Sequence, residues 1–207
     1  MAPLTADDAA TFSRCMQVGG VAVFPADTVY GLACEPGDKE AVRRLYALKG
    51  RVPDKPAAIM LFQPSLALAA LPELGPRTRD ALLALLPGAV TLLLPNPAQR
   101  FPLACGPDPT TIGLRVPALP PALAALEAVS WPVLQSSANR SGGPDCRTLD
   151  AVPAGIRDGV DLLLDGGELP GTPSTVVDLR AFEADGAWSV VRVGAVPIAE
   201  IGARLST

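Results

Sequence analysis

The chain contains no histidine. That removes the commonest general base and metal ligand, and with them any Ser-His-Asp triad. Aromatic residues are scarce at 4%, and the net charge is −4. Together these argue against a broad basic surface that stacks and neutralises a nucleic-acid strand. No run of eighteen apolar residues occurs, so no membrane span is expected. The first residues are acidic and lack the basic-then-apolar order of a secretory signal, so a cytoplasmic location is expected. Four cysteines, at positions 15, 34, 105 and 146, have no metal-site spacing. They are expected to be buried or partly buried free thiols in a reducing compartment. The signatures G-x-x-x-x-G-K-S/T, G-x-G-x-x-G and G-x-S-x-G are absent, so nothing supports a P-loop, a dinucleotide fold or a nucleophile elbow.

What is present suits one compact core: 207 residues, 49% hydrophobic and 18% charged, with 23 prolines that mostly punctuate elements. Thr5 and Asp8 have capping-box spacing ahead of a helix whose apolar face is Ala9, Phe12 and Met16. A strand follows over 21–24. Asp38 caps a helix from Lys39 to about Leu48, with Val42, Leu45 and Leu48 inward, Glu40 set to pair with Arg44, and Gly50 as the stop. Strands are expected over 57–62, 90–94, 111–116, 133–136, 160–164, 174–179 and 188–193. Helices are expected over 78–86 and 121–129 and near Ile198, Ile201 and Leu205. No internal repeat or linker interrupts residues 1–207. The pattern is that of an α/β protein, a single-domain twisted mixed sheet flanked by helices.

Several polar motifs stand out from this apolar background. Lys49-Gly-Arg51 and Lys55 place cations around a helix end and a loop bounded by Pro53 and Pro56. Arg51 offers a planar fork for phosphate or carboxylate and Lys55 a point charge; solvated surface cations are the plainer alternative. Lys49 could equally serve the helix dipole. In Ser137-Ala-Asn139, an extended backbone would put both polar side chains on one side, facing a ligand, whereas a turn would let Asn139 cap its own backbone. Thr28 and Tyr30 alternate in the same way, so both hydroxyls are expected on one face, with Asp27 on the other in a structural role. Arg115 and Arg192 end strands, where an arginine is often only solvated.

Taken in order, P-x-D-T-V-Y-G-L from Pro25, K-G-R-x-x-x-K-P from Lys49, P-G-x-x-T from Pro87, G-x-R-x-P from Gly113, S-A-N-x-S-G from Ser137, S-T-V-V-D from Ser174 and R-x-G from Arg192 resemble the YrdC/TsaC family of threonylcarbamoyl-AMP synthases. The resemblance runs from about Gly19 to Gly194 and is to the short, single-domain form. It implies a YrdC-like fold with a central cationic cavity. It also implies an L-threonylcarbamoyladenylate synthase, a nucleotidyltransferase that joins L-threonine, bicarbonate and ATP and releases pyrophosphate. The product serves N6-threonylcarbamoyladenosine formation next to tRNA anticodons.

By the same resemblance Lys49, Arg51, Ser137 and Asn139 form the catalytic set. Arg51, Lys55, Thr111, Asn139, Arg147 and Arg192 contact ATP; Thr28, Tyr30, Met60, Arg115, Ser137 and Ser174 contact threonine. Mg2+ is expected through ATP, with no protein metal site. The implied partners are the small substrates, weakly bound tRNA and a downstream threonylcarbamoyl transferase complex, with no membrane. Ala26 replaces a threonine common in the family, and either Arg147 or Thr148 occupies the position of a small hydroxyl residue. An RNA-binding module and a paralogous nucleotide-processing enzyme of the same fold are the alternatives.

Overall fold

Thr5 opens the first helix as its chemistry predicts. Its hydroxyl accepts the Asp8 amide at 3.2 Å, while the Asp8 carboxylate accepts the Thr5 amide at 2.8 Å. This computed structural model describes residues 3–52 and 54–206. Pro53 and the two ends of the expected 1–207 domain lie outside the described residues.

Helix α1 (Ala6–Gln17) leads into a hairpin of β1 (Val21–Pro25) and β2 (Tyr30–Cys34). The second helix, α2 (Lys39–Lys49), starts on Asp38, whose carboxylate accepts the Glu40 and Ala41 amides, and stops at Gly50 in the left-handed conformation, φ 58°. There follow β3 (Ala58–Met60), α3 (Pro64–Ala70), α4 (Pro76–Leu85), β4 (Val90–Pro95), β5 (Thr111–Arg115), β6 (Val133–Ser137), α5 (Ala154–Arg157), β7 (Leu162–Leu163), β8 (Thr175–Asp178), α6 (Phe182–Asp185), β9 (Ser189–Arg192) and α7 (Ile198–Leu205). The strands form one nine-stranded mixed sheet in the order β7-β1-β2-β6-β3-β5-β4-β8-β9. The expected fold class is therefore observed.

The helix expected over 121–129 is present, as a 3-10 helix over 121–128. Leu123 and Leu126 are its buried positions, and Val129 just beyond it is buried as well, a three-residue spacing that matches three residues per turn. Arg43, not Arg44, pairs with Glu40, because Arg44 reaches across to Asp161 at 2.9 Å. The strand expected over 160–164 shortens to two residues, and β2, α3, α5 and α6 were not anticipated.

The two faces of the sheet are covered differently. Leu32, Ile59, Leu92, Ile112, Leu114, Leu134 and Val177 join the larger core with α2, α4 and α7. On the other face a smaller cluster under α1 and the 121–128 helix gathers Phe12, Met16, Phe24, Met60, Phe62 and Leu126. Phe12 stands 5.1 Å from the Phe24 ring and 6.0 Å from that of Phe62. That cluster covers part of the second face and leaves the remainder uncovered. Removing the central ring by Phe12→Ala should cost about 3–5 kcal/mol, from lost burial and the cavity left behind. Urea unfolding measures it, and a loss below about 1 kcal/mol would mean that this cluster does not clamp the sheet.

Candidate active site

Alternation along the strands decides which residues face the uncovered area. Gly31 pairs with Ser137, Ala33 with Gln135, Gln135 with Ala58, Ala58 with Gly113, and Met60 with Arg115. Ala58 and Gly113 raise no bulky side chain, and a cavity of about 480 Å³ lies over them, while Ala33 on the same face is covered by the aromatic cluster. Of the residues expected at the site, Arg51, Lys55, Thr111, Arg115, Ser137, Ser174 and Arg192 line it together. Asp54, Asp108 and Asp145 line it too. The expected cationic hollow thus gathers four cations, with three carboxylates interspersed.

Arg115 is the most constrained of these cations. Its Nη2 donates to Asp27 Oδ1 at 2.7 Å, and both side chains are almost completely buried. Asp27 Oδ2 accepts the Ala118 amide at 3.1 Å, so the structural role expected of Asp27 is that of a buried counter-ion. Burial lowers the Arg115 pKa, with Asp27 opposing and nearby Arg192 reinforcing the shift. Burial raises that of Asp27, with Arg115 opposing. The Nε of Arg115 has no partner. Beside it the Ser174 and Thr91 hydroxyls meet at 2.8 Å, and Arg192 donates to the Ser174 carbonyl at 2.8 Å.

At the other end, α2 delivers Lys49 and Arg51. Lys49 is 2% exposed. Its ammonium donates to the Ser137 carbonyl, to the Asn139 carbonyl at 2.9 Å and to Asn139 Oδ1 at 3.1 Å. Desolvation, with Arg51 adding to it, lowers its pKa to about 8 against the pull of Asp145. Arg51 donates to Ser136 Oγ at 3.2 Å and to the Pro56 carbonyl, and its guanidinium lies 5.7 Å from the centre of the Tyr46 ring. The Ser137 hydroxyl donates to Asn139 Oδ1 at 2.6 Å. The chain bends at residues 138–139, so Ser137 and Asn139 bond to one another and do not both face the cavity; Asn139 caps its own loop through the Gly143 carbonyl, the turn alternative.

The remaining expected residues do not line the cavity. Lys49 and Asn139 lie behind the loop they fasten. Thr28 is 1% exposed, and its Oγ1 accepts from Arg115 Nη2 at 3.4 Å. Tyr30 points to the opposite face of the sheet, into the larger core. Its hydroxyl accepts the Gly166 amide at 2.9 Å and faces the Gly167 carbonyl and Asp165, and burial pushes its pKa up to about 12. The expectation that Thr28 and Tyr30 share a face fails because residues 26–29 form a turn, closed by Val29 O accepting the Ala26 amide at 3.4 Å; strand alternation begins only at Tyr30. Met60 is sealed within the smaller aromatic cluster. Arg147 is exposed and paired with Glu168 at 2.9 Å, while Thr148 Oγ1 accepts the Ala151 amide at 3.3 Å. Sequence reasoning missed Gln135 and gave no role to Thr91. The register across β6, β3 and β5 places Gln135 on the floor, and the P-G-x-x-T motif already contained Thr91.

Cys34, Cys105 and Cys146 are buried and Cys15 is half-buried, all as free thiols. Among the described residues no grouping of three His, Cys, Asp or Glu side chains could hold a metal ion, and no helix is long and apolar enough to cross a membrane.

Residues 14–194 match the Sua5/YciO/YrdC family model, described as "Telomere recombination". The threonylcarbamoyl-AMP synthase of Chromohalobacter salexigens is 33% identical over 181 residues, covering 86% of this chain and 96% of the relative. That of Pyrococcus abyssi is 30% identical over 184 residues, covering 88% of this chain, and the matched part is only 53% of the relative. The crystal structure of P. abyssi Sua5 complexed with L-threonine superposes with a TM-score of 0.83 at 27% identity, covering 97% of this chain and 58% of that one. The chain thus spans little more than half the length of the P. abyssi protein.

The buried ammonium generates a pH test. Between pH 8 and 10.5 the unfolded chain holds a proton on Lys49 that the folded chain has released, so the Lys49 contribution to stability rises with pH across that window. Urea unfolding of wild type and Lys49→Met from pH 7.5 to 10.5 should therefore show a stability difference that grows in favour of wild type. A difference independent of pH would show that Lys49 keeps its ordinary affinity for the proton.

Proposed function

The chain belongs to the Sua5/YciO/YrdC family, and we propose that it is an L-threonylcarbamoyladenylate synthase. In this reading it is a nucleotidyltransferase that forms threonylcarbamoyl-AMP and pyrophosphate from L-threonine, bicarbonate and ATP. The observation that carries this reading is one cavity with Arg115, Ser174 and Arg192 at one end and Arg51 and Lys55 at the other.

The two ends suit the two substrates. Arg115, held through Nη2 by Asp27, takes the threonine carboxylate. The Ser174 and Thr91 hydroxyls lie within reach of the substrate hydroxyl. Arg51 and Lys55 take the triphosphate, with Mg2+ arriving on ATP as part of the substrate. Lys49 and Asn139 act indirectly, by fixing the loop that presents Ser137. Arg147 takes no part while paired with Glu168.

The threonine amine adds to bicarbonate with loss of water, giving a carbamate. A carbamate oxygen attacks the α-phosphorus, and the bond to pyrophosphate breaks. Charge grows on the phosphoryl oxygens, and fixed guanidinium and ammonium groups stabilise it without a general base. Val29, Leu93 and Ala57 give apolar patches to the cavity wall, which limits water near a carbamate and a mixed anhydride that both hydrolyse. The adenylate then serves a threonylcarbamoyl transferase acting on tRNA in the cytoplasm, with tRNA bound at most weakly by this acidic chain.

Pyrophosphate release should require ATP, Mg2+, bicarbonate and L-threonine together, with serine replacing threonine better than valine does. Lys55→Ala and Arg51→Ala should each lower the rate by about 10²–10³ with the unfolding midpoint of Lys55→Ala unchanged, since that side chain is exposed. Pyrophosphate release indifferent to threonine, or wild-type rates from both variants, would remove the synthase reading.

A further inference from the structure

Gln135 stands on the cavity floor, 5% exposed. Its side-chain amide has no hydrogen-bond partner among the described residues. Among the described residues the sealed, unpartnered side-chain atoms are four arginine Nε atoms, and the Gln135 amide is not one of them, so it is open to the cavity. An amide so nearly buried and yet unpaired awaits a partner. The fold makes room for it: a Cβ on Gly31 would lie 2.8 Å from Gln135 Nε2 and 2.9 Å from the Phe24 ring. Its cross-strand neighbours are the small Ala33 and Ala58, with Gly113 beyond.

Its place in the register gives the ligand chemistry. Gln135, Ala58 and Gly113 form one cross-strand row, and Arg115 lies two residues along β5 from it, a step of about 6.6 Å. Ser137, beside the Ser136 hydroxyl that Arg51 contacts, lies two residues the other way. The row of Gln135 therefore falls between the anchor for the amino-acid carboxylate and the anchors for the phosphates. In the proposed reaction the group between those anchors is the carbamate. A carbamate presents an N–H donor beside an anionic oxygen acceptor. A primary amide is its complement, with Oε1 accepting and Nε2 donating. Arg51, Lys55 and Arg115 can only donate.

We infer that Gln135 recognises the carbamate formed on the threonine nitrogen, holding it between the two anchored ends. This rests on the synthase reading. Gln135→Met keeps the side-chain length and removes both hydrogen-bonding atoms. Gln135→Glu keeps an acceptor and sets a negative charge against the anion. Each should raise the bicarbonate KM about tenfold or more, the scale of one hydrogen bond to a charged group. The ATP KM and the preference for ATP over GTP should stay within twofold of wild type, as should the unfolding midpoint of Gln135→Met.

A second measurement avoids turnover. Bicarbonate should tighten L-threonine binding to wild type in calorimetry, and that coupling should vanish in Gln135→Met while threonine binding without bicarbonate is retained. An active wild type whose variants keep the same bicarbonate KM and the same coupling would overturn the inference alone. So would loss of ATP preference with bicarbonate KM unchanged, which would put the amide on the base. A wild type lacking threonine-dependent pyrophosphate release would overturn the synthase reading and the inference with it.

Discussion

The cations of the cavity are held mainly by neutral oxygens, and the character of the site depends on that. Arg51 donates to the Pro56 carbonyl and the Ser136 hydroxyl, and Arg192 to the Ser174 carbonyl; Lys49, behind the lining loop, likewise donates to the Ser137 and Asn139 carbonyls and to the Asn139 amide oxygen. A carbonyl dipole orients a guanidinium or an ammonium without cancelling its charge. Elsewhere the rule is different: Arg43, Arg44, Arg100, Arg147, Arg157 and Arg180 each meet a carboxylate. Those pairs are spent within the protein and screened by solvent. The cavity cations keep their charge for a ligand, in a setting where lower polarisability strengthens its effect.

On the proposed reading, this arrangement would let a chain without histidine support phosphoryl chemistry. The α-phosphorus needs stabilised oxygens and an aligned nucleophile more than it needs a proton acceptor. The sheet supplies the alignment. Small residues at Ala58 and Gly113 keep the cavity floor low, and the aromatic cluster of Phe12, Phe24 and Phe62 closes its neighbouring area. In the proposed reaction the substrates would lie on a floor set by strand register, whose spacing does not drift as a loop can.

Much of this was legible in the residues, and the gaps have physical causes. Thr5, Asp38 and Gly50 act through local geometry and behave as read. The helix that ends at Lys49 follows from its apolar stripe, which is also local. Tyr30 was misplaced because a turn over 26–29 resets the alternation, and turn length is not written in the period of the strand that follows. A helix over 121–129 is expected and present, but its 3-10 type shows only in which positions are buried. Gln135 was invisible for a different reason. A single amide in an apolar strand says nothing until the strands on both sides are known, and those pairings join residues about a hundred positions apart in part. The motif order located the cavity, but it could not separate residues that line it from those, such as Lys49, Asn139 and Met60, that build its walls.

The exception among the cavity cations completes the picture. Arg115 alone is matched by a carboxylate, because it is the most deeply buried, and a guanidinium that far from water requires an anion or several oxygens. Asp27 meets only Nη2 and spends its other oxygen on the Ala118 amide. Burial drives the two partners in opposite directions, Arg115 toward losing its proton and Asp27 toward gaining one, and each holds the other charged. With Nε unpartnered as well, the guanidinium is fixed in place yet incompletely satisfied. A substrate carboxylate arriving from the cavity would bring a second anion to an arginine already oriented by the first. The affinity then comes from satisfying a donor group whose desolvation folding has already imposed. Asp27 is thus more than a counter-ion for stability: it sets the angle at which the fork faces the cavity, and a side chain free to rotate would lose that direction even with its charge intact.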